Sequence, residues 1–343
     1  METVPGVVVY GAYGHTGRFV VAELVGRGFA PVLSGRNAEK LRAAAEAFPG
    51  LETRPASIDA PASLDRALAG AAAVINCAGP FALTAAPLIE AALRAGIPYL
   101  DVAAEIEANL DTFARFTERA GAVGATIIPA MAFYGGLGDL LTTAALGGRR
   151  AADEVGIAYA LSAWHPTPGT RAAGAVSRRR RDGRRVRFRN GRLEYHREEP
   201  PTREWVFPDP VGRRTVLGEF TTTDVVTVPA HLAVPEVRTM MTVGAAGDVA
   251  DPDTPPPTAV DGQGRSAQTF LVDVVVGFGG EERRLVARGR DIYAVTAPLV
   301  VEAVERVLTG RVARTGVAPA GAIFDAPDFL RALAPHVSVE WCP

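Results

Sequence analysis

The fold of this chain is decided near its N-terminus by the stretch Val7-Val8-Val9-Tyr10-Gly11-Ala12-Tyr13-Gly14-His15-Thr16-Gly17. Its first residues are apolar and mostly β-branched, which is typical of a buried strand. Glycines then recur at every third position from Gly11. The residues behind them place apolar side chains on one face of a helix, at Phe19, Val20, Leu24 and Val25. The stretch therefore predicts a strand, a tight turn and a helix.

A glycine turn between a strand and a helix is the arrangement that holds the pyrophosphate of a dinucleotide. Gly11 lets the chain turn sharply, Gly14 leaves room for the pyrophosphate, and Gly17 lets helix and strand pack closely. The free N–H groups at the start of the helix then face the anion. We predict cofactor contacts from the residues of this turn: Gly11, Tyr13, Gly14, His15, Thr16 and Gly17.

The next predicted strand, Phe29–Leu33, indicates which dinucleotide is bound. Sites selective for NAD place a carboxylate at the end of this strand, and here Ser34-Gly35-Arg36 follows instead. The Ser34 hydroxyl and the Arg36 guanidinium could hold a 2′-phosphate, with Lys40 one turn further on and Asp59 flanking the adenine. The alternative is that Arg36 and Lys40 simply begin a solvated helix, Ala38–Ala47. The missing carboxylate favours NADP(H).

Strand and helix patterns alternate up to residue 129, which predicts a doubly wound parallel sheet of the Rossmann type. The predicted strands are Leu51–Ile58, Ala73–Asn76, Tyr99–Val102 and Ala125–Pro129; the predicted helices begin at Pro61, Ala85 and Ile106. Ligands of such sheets lie beyond the carboxyl ends of the strands. The turns Asn76–Phe81 and Asp101–Glu105 should therefore share the cofactor cleft, with contacts from Asn76, Cys77, Ala78, Gly79 and Pro80.

From residue 152 the pattern changes to one that predicts a mostly antiparallel sheet with helices on one face, an α+β arrangement. Asn190-Gly191 between two short strands is a type I′ hairpin signal. Further strands are predicted at Glu154–Ala163, Thr222–Val228, Val237–Val243, Phe270–Val276 and Arg283–Arg290; helices at Ala172–Arg181 and Thr296–Leu308; and an exposed loop at Asp251–Gly264. We divide the chain into 1–135 (NADP binding), 136–290 (substrate and dimerisation) and 291–343 (a helical segment packed back on the first domain).

Several segments together resemble the saccharopine dehydrogenase-like oxidoreductases. They are Gly11–Gly17, Ser34–Arg36, Asn76–Phe81, Tyr99–Asp101 and the crossover Pro129–Leu140, followed by looser similarity at Gly169–Arg171, at the hairpin and at Tyr293–Phe324. The resemblance spans nearly the whole chain and is most specific in the first third. It implies that the Asn76–Phe81 turn lies along the nicotinamide. Family members act on C–N bonds of amino acids, and related proteins reduce C=C bonds in lipid precursors.

The chain departs from the family at two places near the expected substrate cleft. Val102-Ala103-Ala104-Glu105 replaces a serine-glycine pair, and Ala132-Phe133-Tyr134 replaces Gly-Phe-Asp. The family's substrate therefore cannot be transferred to this chain. We predict a reductase acting on a small unsaturated substrate, with an imine first and an enoyl or carbonyl group as alternatives. A protein that binds NADP(H) as a sensor without turnover is the other class that remains.

Proton donors and substrate contacts are expected near the crossover and in the first loop of the second domain. The candidates are Tyr134, Asp139, His165 and Arg171. Each has a structural alternative: Tyr134 could pack at the domain junction, Asp139 could cap a helix that begins near Leu140, and His165 and Arg171 could lie on the surface. The histidines lack the spacing of a metal site, so no metal is expected.

Composition sets the remaining expectations. The chain has 343 residues, a net charge of −2 and two cysteines, Cys77 and Cys342, which fits a reducing, cytoplasmic compartment. No apolar run is long enough to span a membrane. The basic run Arg178–Arg185 is short and has no aromatic platform, so a solvated helix end is favoured over a nucleic-acid site. The expected partners are a small-molecule substrate and a second copy of the chain in a homodimer, without nucleic acid or membrane.

Overall fold

The computed structural model describes residues 5–342 and builds them into two sheets. The N-terminal half alternates strands and helices in the order β1 Gly6–Tyr10, α1 His15–Gly26, β2 Ala30–Gly35, α2 Ala38–Glu46, β3 Thr53–Pro55, α3 Pro61–Leu68, β4 Ala73–Asn76, α4 Phe81–Ala95, β5 Tyr99–Asp101, α5 Ile106–Val123 and β6 Thr126–Ile128. A tight crossover turn, Phe133–Leu137, then leads to α6 Gly138–Leu146.

The second half begins with β7 Glu154–Leu161, α7 Pro168–Arg180, β8 Arg185–Arg189, β9 Arg192–His196, β10 Thr202–Val206, β11 Arg213–Gly218, α8 Asp224–Thr227, β12 Val237–Thr242, α9 Val243–Ala250, β13 Thr269–Phe278 and β14 Glu281–Arg290. The C-terminal segment adds α10 Thr296–Leu308, β15 Gly316–Val317, α11 Ala320–Ile323, α12 Ala326–Ala332 and β16 Val337–Cys342.

The first sheet is parallel throughout, with the strand order β15-β6-β5-β4-β1-β2-β3. Its first strand explains why both faces are covered by helices. Val7 and Val9 belong to one buried cluster, whereas Val8 and Tyr10 belong to another on the opposite face. The predicted doubly wound α/β fold is confirmed, and the carboxyl ends of β1, β2, β4 and β5 meet at one edge.

The second sheet is mostly antiparallel, as predicted, with the order β10-β11-β12-β7-β13-β14-β16 and with β8 and β9 attached beside β12. One pair, β7 with β12, is parallel. The predicted hairpin is present, since Asn190 and Gly191 both have positive φ angles, 52° and 70°. The buried cluster that contains Val7 also contains Phe270 and Leu299, so the two sheets share one core.

Several features differ from the sequence predictions. Residues 222–228 are not a strand, because the chain there turns into α8 and buries Asp224 at its first position. The β-branched residues of this stretch favour a strand, but tertiary packing overrides that preference. Helix α4 begins at Phe81 rather than Ala85, because the carboxylate of Glu105 accepts hydrogen bonds from the Phe81 and Ala82 amides. The C-terminal segment also contributes a strand to each sheet, β15 and β16, which the sequence pattern did not indicate.

Candidate functional site

The two turns predicted to hold the cofactor lie in direct contact. Gly11 has a φ of +88°, and a Cβ there would lie only 2.9 Å from the Cβ of Ala78. At Gly17 a Cβ would collide with the carbonyl oxygen of Gly11, so close helix-to-strand packing needs glycine here as well. The Gly11–Gly17 and Asn76–Pro80 turns therefore form one continuous floor at the carboxyl edge of the first sheet.

The start of α1 offers free hydrogen-bond donors above this floor. Within the described residues, the amides of His15, Thr16 and Gly17 donate to no other group. Gly14, the residue before the helix, is partly exposed, as are His15 and Thr16. Partly exposed, unpaired amides at a helix N-terminus fit the pyrophosphate of a dinucleotide.

The ribose end of the site fits a 2′-phosphate through Arg36. This side chain is exposed and has no hydrogen bond or ion pair within the described part of the chain, and Lys40 is exposed one turn later. The Tyr13 ring lies over Gly35, where a Cβ would approach it to 2.8 Å. Asp59 is exposed at the turn after β3. A free guanidinium beside an aromatic ring suits an adenosine phosphate.

The prediction that the Ser34 hydroxyl contacts this phosphate is wrong. Ser34 is fully buried, and its Oγ donates a 2.7 Å hydrogen bond to the carbonyl of Arg54 on β3. Its own carbonyl accepts hydrogen bonds from the amides of Gly11 and Ala12. Ser34 therefore holds the glycine turn in place rather than binding the cofactor.

Asn76 likewise shapes the second turn instead of contacting the cofactor. It is fully buried, with Nδ2 donating to Thr84 and Tyr99 (both 3.1 Å) and Oδ1 accepting from the Ala78 amide. Beside it, burial raises the pKa of the Cys77 thiol far above its usual range, and the charge of Asp101 adds to the effect. Cys77 lines the turn and is partly exposed, while Ala78, Gly79 and Pro80 are partly or fully exposed.

Asp101 ties β5 to the crossover below the site. Its carboxylate accepts hydrogen bonds from the amides of Ala130 (2.8 Å) and Ala103 (3.0 Å) and from the Tyr99 hydroxyl (2.9 Å). Burial raises the pKa of Asp101 to about 6, although these hydrogen bonds oppose the rise. This network fixes where the crossover leaves the first sheet, and so where Tyr134 lies.

Tyr134 lies in a buried cluster of aromatic rings where the two sheets meet. Its ring centroid lies 5.0 Å from that of Tyr159 and 5.3 Å from that of Trp164. The hydroxyl is buried and has no hydrogen-bond partner within the described residues. Burial raises the pKa of Tyr134 well above its ordinary value, and the neighbouring Tyr293 and Asp224 add to it. We call Tyr134, Tyr159 and Trp164 the aromatic wall.

The aromatic wall reaches the cofactor turn through Tyr293. The Trp164 indole donates to the Tyr293 hydroxyl at 3.2 Å, and the Tyr293 ring meets the His15 ring edge-on at a centroid distance of 5.1 Å. Burial lowers the pKa of His15, and the charge of Arg18 lowers it further, so the imidazole is neutral near pH 7. The second domain is thus in contact with the start of α1, next to the cofactor turn.

His165 and Arg171 hold a loop and are not arranged as substrate ligands. The guanidinium of Arg171 donates to the carbonyls of Asp251 (3.0 Å) and Thr254 (2.7 Å), and His165 Nδ1 lies 3.1 Å from the carbonyl of Pro255. Both contacts fall in the predicted loop 251–264. The side chains of His165 and Arg171, which were predicted to take part in catalysis, therefore contact backbone carbonyls of this loop.

Asp139 is neither a helix cap nor a proton donor at the cleft. It is fully buried in the first turn of α6, where it accepts hydrogen bonds from His231 (2.7 Å) and from the amide of Gly321 (2.6 Å). Burial alone would lower the pKa of His231, but the charge and hydrogen bond of Asp139 outweigh it and raise that pKa. The hydrogen bond from the Gly321 amide to Asp139 joins α11 to α6.

The sequence analysis missed Asp224 and Tyr159. Both are fully buried, and the Tyr159 hydroxyl donates to Asp224 Oδ2 at 2.8 Å across 65 positions of sequence. The other carboxylate oxygen, Oδ1, has no hydrogen-bond partner within residues 5–342. The sequence did carry one signal for Asp224, since it is the single charged residue of the stretch 221–228. We did not use this signal, because the stretch was predicted to be a strand.

Other candidate sites can be set aside. A surface cavity of about 500 Å³ beside the hairpin has five carboxylates and one arginine, Arg189, in its lining, so its net negative charge would repel an anionic cofactor; the carboxylates are Asp153, Glu154, Glu236, Glu281 and Glu282. No group of three or more potential metal ligands occurs in the described residues.

In the basic run, Arg180 pairs with Asp111 and Arg181 with the buried Glu107, so this helix end joins α7 to α5. No helix in the described range combines the length and apolarity needed to cross a membrane.

Residues 7–128 match the family profile of the saccharopine dehydrogenase NADP-binding domain. A saccharopine dehydrogenase-like oxidoreductase of Mus musculus is 30% identical over 145 residues, covering 37% of this chain and 34% of the relative. A probable mitochondrial saccharopine dehydrogenase-like oxidoreductase of Arabidopsis thaliana is also 30% identical, over 38% of this chain and 32% of the relative. A trans-acting enoyl reductase of Mycobacterium tuberculosis is 29% identical over 133 residues, covering 37% of this chain and 32% of its own length. The matched segments thus span about a third of these relatives.

The fold similarity extends further than the sequence similarity. Saccharopine dehydrogenase (L-Glu forming) from Saccharomyces cerevisiae superimposes with a TM-score of 0.66, covering 99% of this chain and 100% of that structure at 11% identity. Both sheets therefore follow the saccharopine dehydrogenase fold. The resemblance drawn from the sequence motifs is confirmed for residues 7–128, and with it the NADP cofactor.

Proposed function

We propose that this chain is an NADPH-dependent reductase of a small C=N substrate. The premise is that residues 7–128 match the NADP-binding domain of the saccharopine dehydrogenase family. The observation that carries the proposal is that the aromatic wall lies against the start of α1, through the hydrogen bond of Trp164 with Tyr293 and the contact of Tyr293 with His15. A cofactor held only for sensing would not need a second sheet built against the place where its nicotinamide lies.

In this proposal the residues of the chain have separate tasks. The amides of His15, Thr16 and Gly17 hold the pyrophosphate, and Arg36 holds the 2′-phosphate. The turn Asn76–Pro80 supports the nicotinamide, which supplies the hydride when the cofactor is bound. The aromatic wall covers the reacting face and excludes water.

The proposal is tested by following NADPH oxidation with cyclic imines, with keto acids plus amines, with enones and with ketones. We expect turnover with imines and dependence on NADPH rather than NADH. Tight NADPH binding without turnover on any substrate would instead indicate a sensor. Turnover confined to enones would favour enoyl reduction, which the name of the mycobacterial relative makes the second candidate.

The homodimer is kept as a proposal. It is supported by two large apolar side chains exposed on strands of the second sheet, Val206 (53%) and Trp341 (58%). Light scattering of the purified chain tests it: a monomer at micromolar concentration would exclude a stable dimer. The cytoplasmic location likewise remains a prediction.

A further inference from the structure

A second cavity lies where the second sheet changes its pairing beside β12. Along one side, β12 pairs first with β8, at Val237 and Phe188, and then with β11, from Met240 and Gly218 onward. A cavity of about 200 Å³ opens between these two partners, and all of its lining among the described residues comes from the second half of the chain. We call it the β12 cavity. It is separate from the cofactor turn.

The lining of the β12 cavity combines apolar side chains with an excess of positive charge. Most of the surface that it exposes is apolar, and the apolar residues include Phe188 and Pro201. Four arginines against two glutamates leave an excess of two positive charges; they are Arg187, Arg189, Arg203 and Arg238, with Glu219 and Glu236. The cavity beside the hairpin has the opposite sign, so the β12 cavity favours an anion.

Three of these arginines are accounted for without a ligand. Arg238 pairs with Glu236 at 2.7 Å, and Arg187 lies 3.4 Å from Glu219. Arg189 is exposed, so water can solvate its charge. The remaining arginine, Arg203 on β10, is different.

Arg203 is a partly buried cation that no carboxylate of the described residues pairs with. The carboxylates that act on it, Glu154 and Glu236, both pair with Arg238 instead. Its Nε is buried without a hydrogen-bond partner within residues 5–342, and its Nη2 meets only the Sδ of Met240, a weak acceptor. Burial lowers the pKa of Arg203, and the charge of Arg238 lowers it further. An anion beside Arg203 would offset both effects.

The Arg203 guanidinium is also held in position. It lies 5.6 Å from the centroid of the Trp205 ring. The Trp205 indole donates a 2.8 Å hydrogen bond to Asp273, and the same carboxylate pairs with Arg284 at 2.6 Å. Because the ring that supports the guanidinium is itself anchored, less conformational entropy is lost when Arg203 binds a ligand.

We propose that the β12 cavity is an accessory binding site for a small organic carboxylate with an apolar body. The carboxylate pairs with the Arg203 fork through two N–H donors, and the body lies against Phe188 and Pro201. Inorganic phosphate fits less well, because the apolar surface leaves its further oxygens without partners. The volume equals that of about seven liquid water molecules, which suits a ligand of the size of benzoate and excludes a nucleotide. The site goes beyond the proposed function and does not depend on it.

Calorimetric titration of the full chain tests the site. The chain is first saturated with NADP⁺, so that the cofactor turn and Arg36 are occupied, and is titrated at about pH 7.5 with benzoate or with its neutral isostere benzamide. We expect benzoate to bind at least about tenfold more tightly than benzamide, and Arg203→Gln to reduce this ratio to about twofold or less. Arg203→Lys keeps the charge but loses the fork, so its ratio should lie between the two.

Arg213→Gln is the matched control, since it removes the same charge from an exposed position on the neighbouring strand β11, outside the cavity lining. It should leave the preference for benzoate intact. An unchanged preference in Arg203→Gln, or no benzoate binding by the unmodified chain, would overturn the inference. Inorganic phosphate that displaces benzoate at equal concentration would overturn the assignment to a carboxylate.

A second measurement needs no variant. Benzoate at a saturating concentration should raise the midpoint of thermal unfolding of the NADP⁺-saturated chain, because it binds the folded state. Benzamide at the same concentration should leave the midpoint unchanged. Equal shifts with both compounds would show that the carboxylate is not recognised and would count against the site.

Discussion

At the scale of single residues, the site is built from groups that lack partners. Arg36 and the amides of the α1 start have none within the described residues, which leaves them free for phosphate groups. The side chains of Ser34 and Asn76 form hydrogen bonds with other residues of the chain, and they position the backbone instead of binding the cofactor. Residue type alone did not separate these two roles, because the difference is burial.

Replacing Arg36 with Asp should weaken NADPH binding by about 2–4 kcal/mol, because it removes a charge-assisted pair and adds repulsion. NADH, which has no 2′-phosphate, should be affected far less. Fluorescence titration with both cofactors measures this difference. Arg42→Asp, a substitution of equal charge at an exposed position on the following helix α2, serves as the control. Equal losses for both cofactors would remove Arg36 from the 2′-phosphate site.

Tyr134→Phe should leave imine turnover within about threefold of the unmodified chain, because the ring that forms the wall remains. This differs from the role expected from sequence, in which its hydroxyl donates a proton. A donor must be reprotonated in each cycle, and this hydroxyl is buried with no hydrogen-bond partner among the described residues. Steady-state kinetics on an imine that is turned over checks this. A fall of about 10²–10⁴ would restore the proton-donor role.

Asp224→Asn should stabilise the fold at pH 8 by about 1–3 kcal/mol, since folding shifts the pKa from 3.8 to about 6 and the neutral amide avoids that cost. The folded chain holds this proton more tightly than the unfolded chain, so stability falls as the pH rises from about 4 to 6. Urea unfolding should show the variant to be more stable than the unmodified chain at pH 8, and this difference in the free energy of unfolding should disappear at pH 4. Destabilisation at pH 8 would mean that Asp224 has a compensating partner.

At the scale of elements, a buried ion network joins α1, α10 and α12. Glu302 accepts hydrogen bonds from Arg306 (2.7 Å) and Arg27 (2.5 Å), and Arg306 also pairs with Asp328. Burial alone would raise the pKa of Glu302, but these two arginines outweigh it and leave the pKa lowered. The network fixes α10 against α1, the helix whose first turn holds the cofactor.

Glu302→Gln should cost about 3 kcal/mol of stability, because Arg306 is only 2% exposed and would lose its buried partner. Since folding lowers the pKa of Glu302, its contribution is present above about pH 4.5 and is lost as the pH falls through the folded value. Urea unfolding at pH 7 measures the loss. Arg331→Ala, which removes an exposed partner of Asp328, should cost at most about 1 kcal/mol. Equal effects of the two substitutions would argue against the network.

At the scale of the whole molecule, the C-terminal segment joins the two sheets. β15 extends the first sheet beside β6, and β16 extends the second beside β14. One buried cluster includes residues from both sheets, so neither can expose its shared face alone at small cost.

We therefore expect one calorimetric unfolding transition, and NADPH should shift all of it to higher temperature. At an NADPH concentration about one hundred times its dissociation constant, the free energy of unfolding should increase by about 2.7 kcal/mol. A Gly14→Val variant should unfold in a similar single transition without the shift, because its side chain blocks the pyrophosphate position. Two separate transitions, with only one sensitive to NADPH, would contradict this coupling.

The sequence by itself determined the first sheet, its glycine turn, the NADP cofactor, the type I′ hairpin and the mostly antiparallel second sheet. These features are encoded by residues close together in the chain, through hydrophobic period, glycine spacing and the absence of a carboxylate after β2. Even the Thr296–Leu308 helix has its predicted bounds.

Only the tertiary structure decided which polar groups are free. Tyr159 and Asp224 meet across 65 positions, His231 and Asp139 across 92, and Arg171 reaches loop carbonyls about 80 residues away. Such contacts depend on how the two sheets pack, and no local pattern encodes them. The strand predicted at 222–228 is helix α8 in the structure, because tertiary packing outweighed the β preference of its residues.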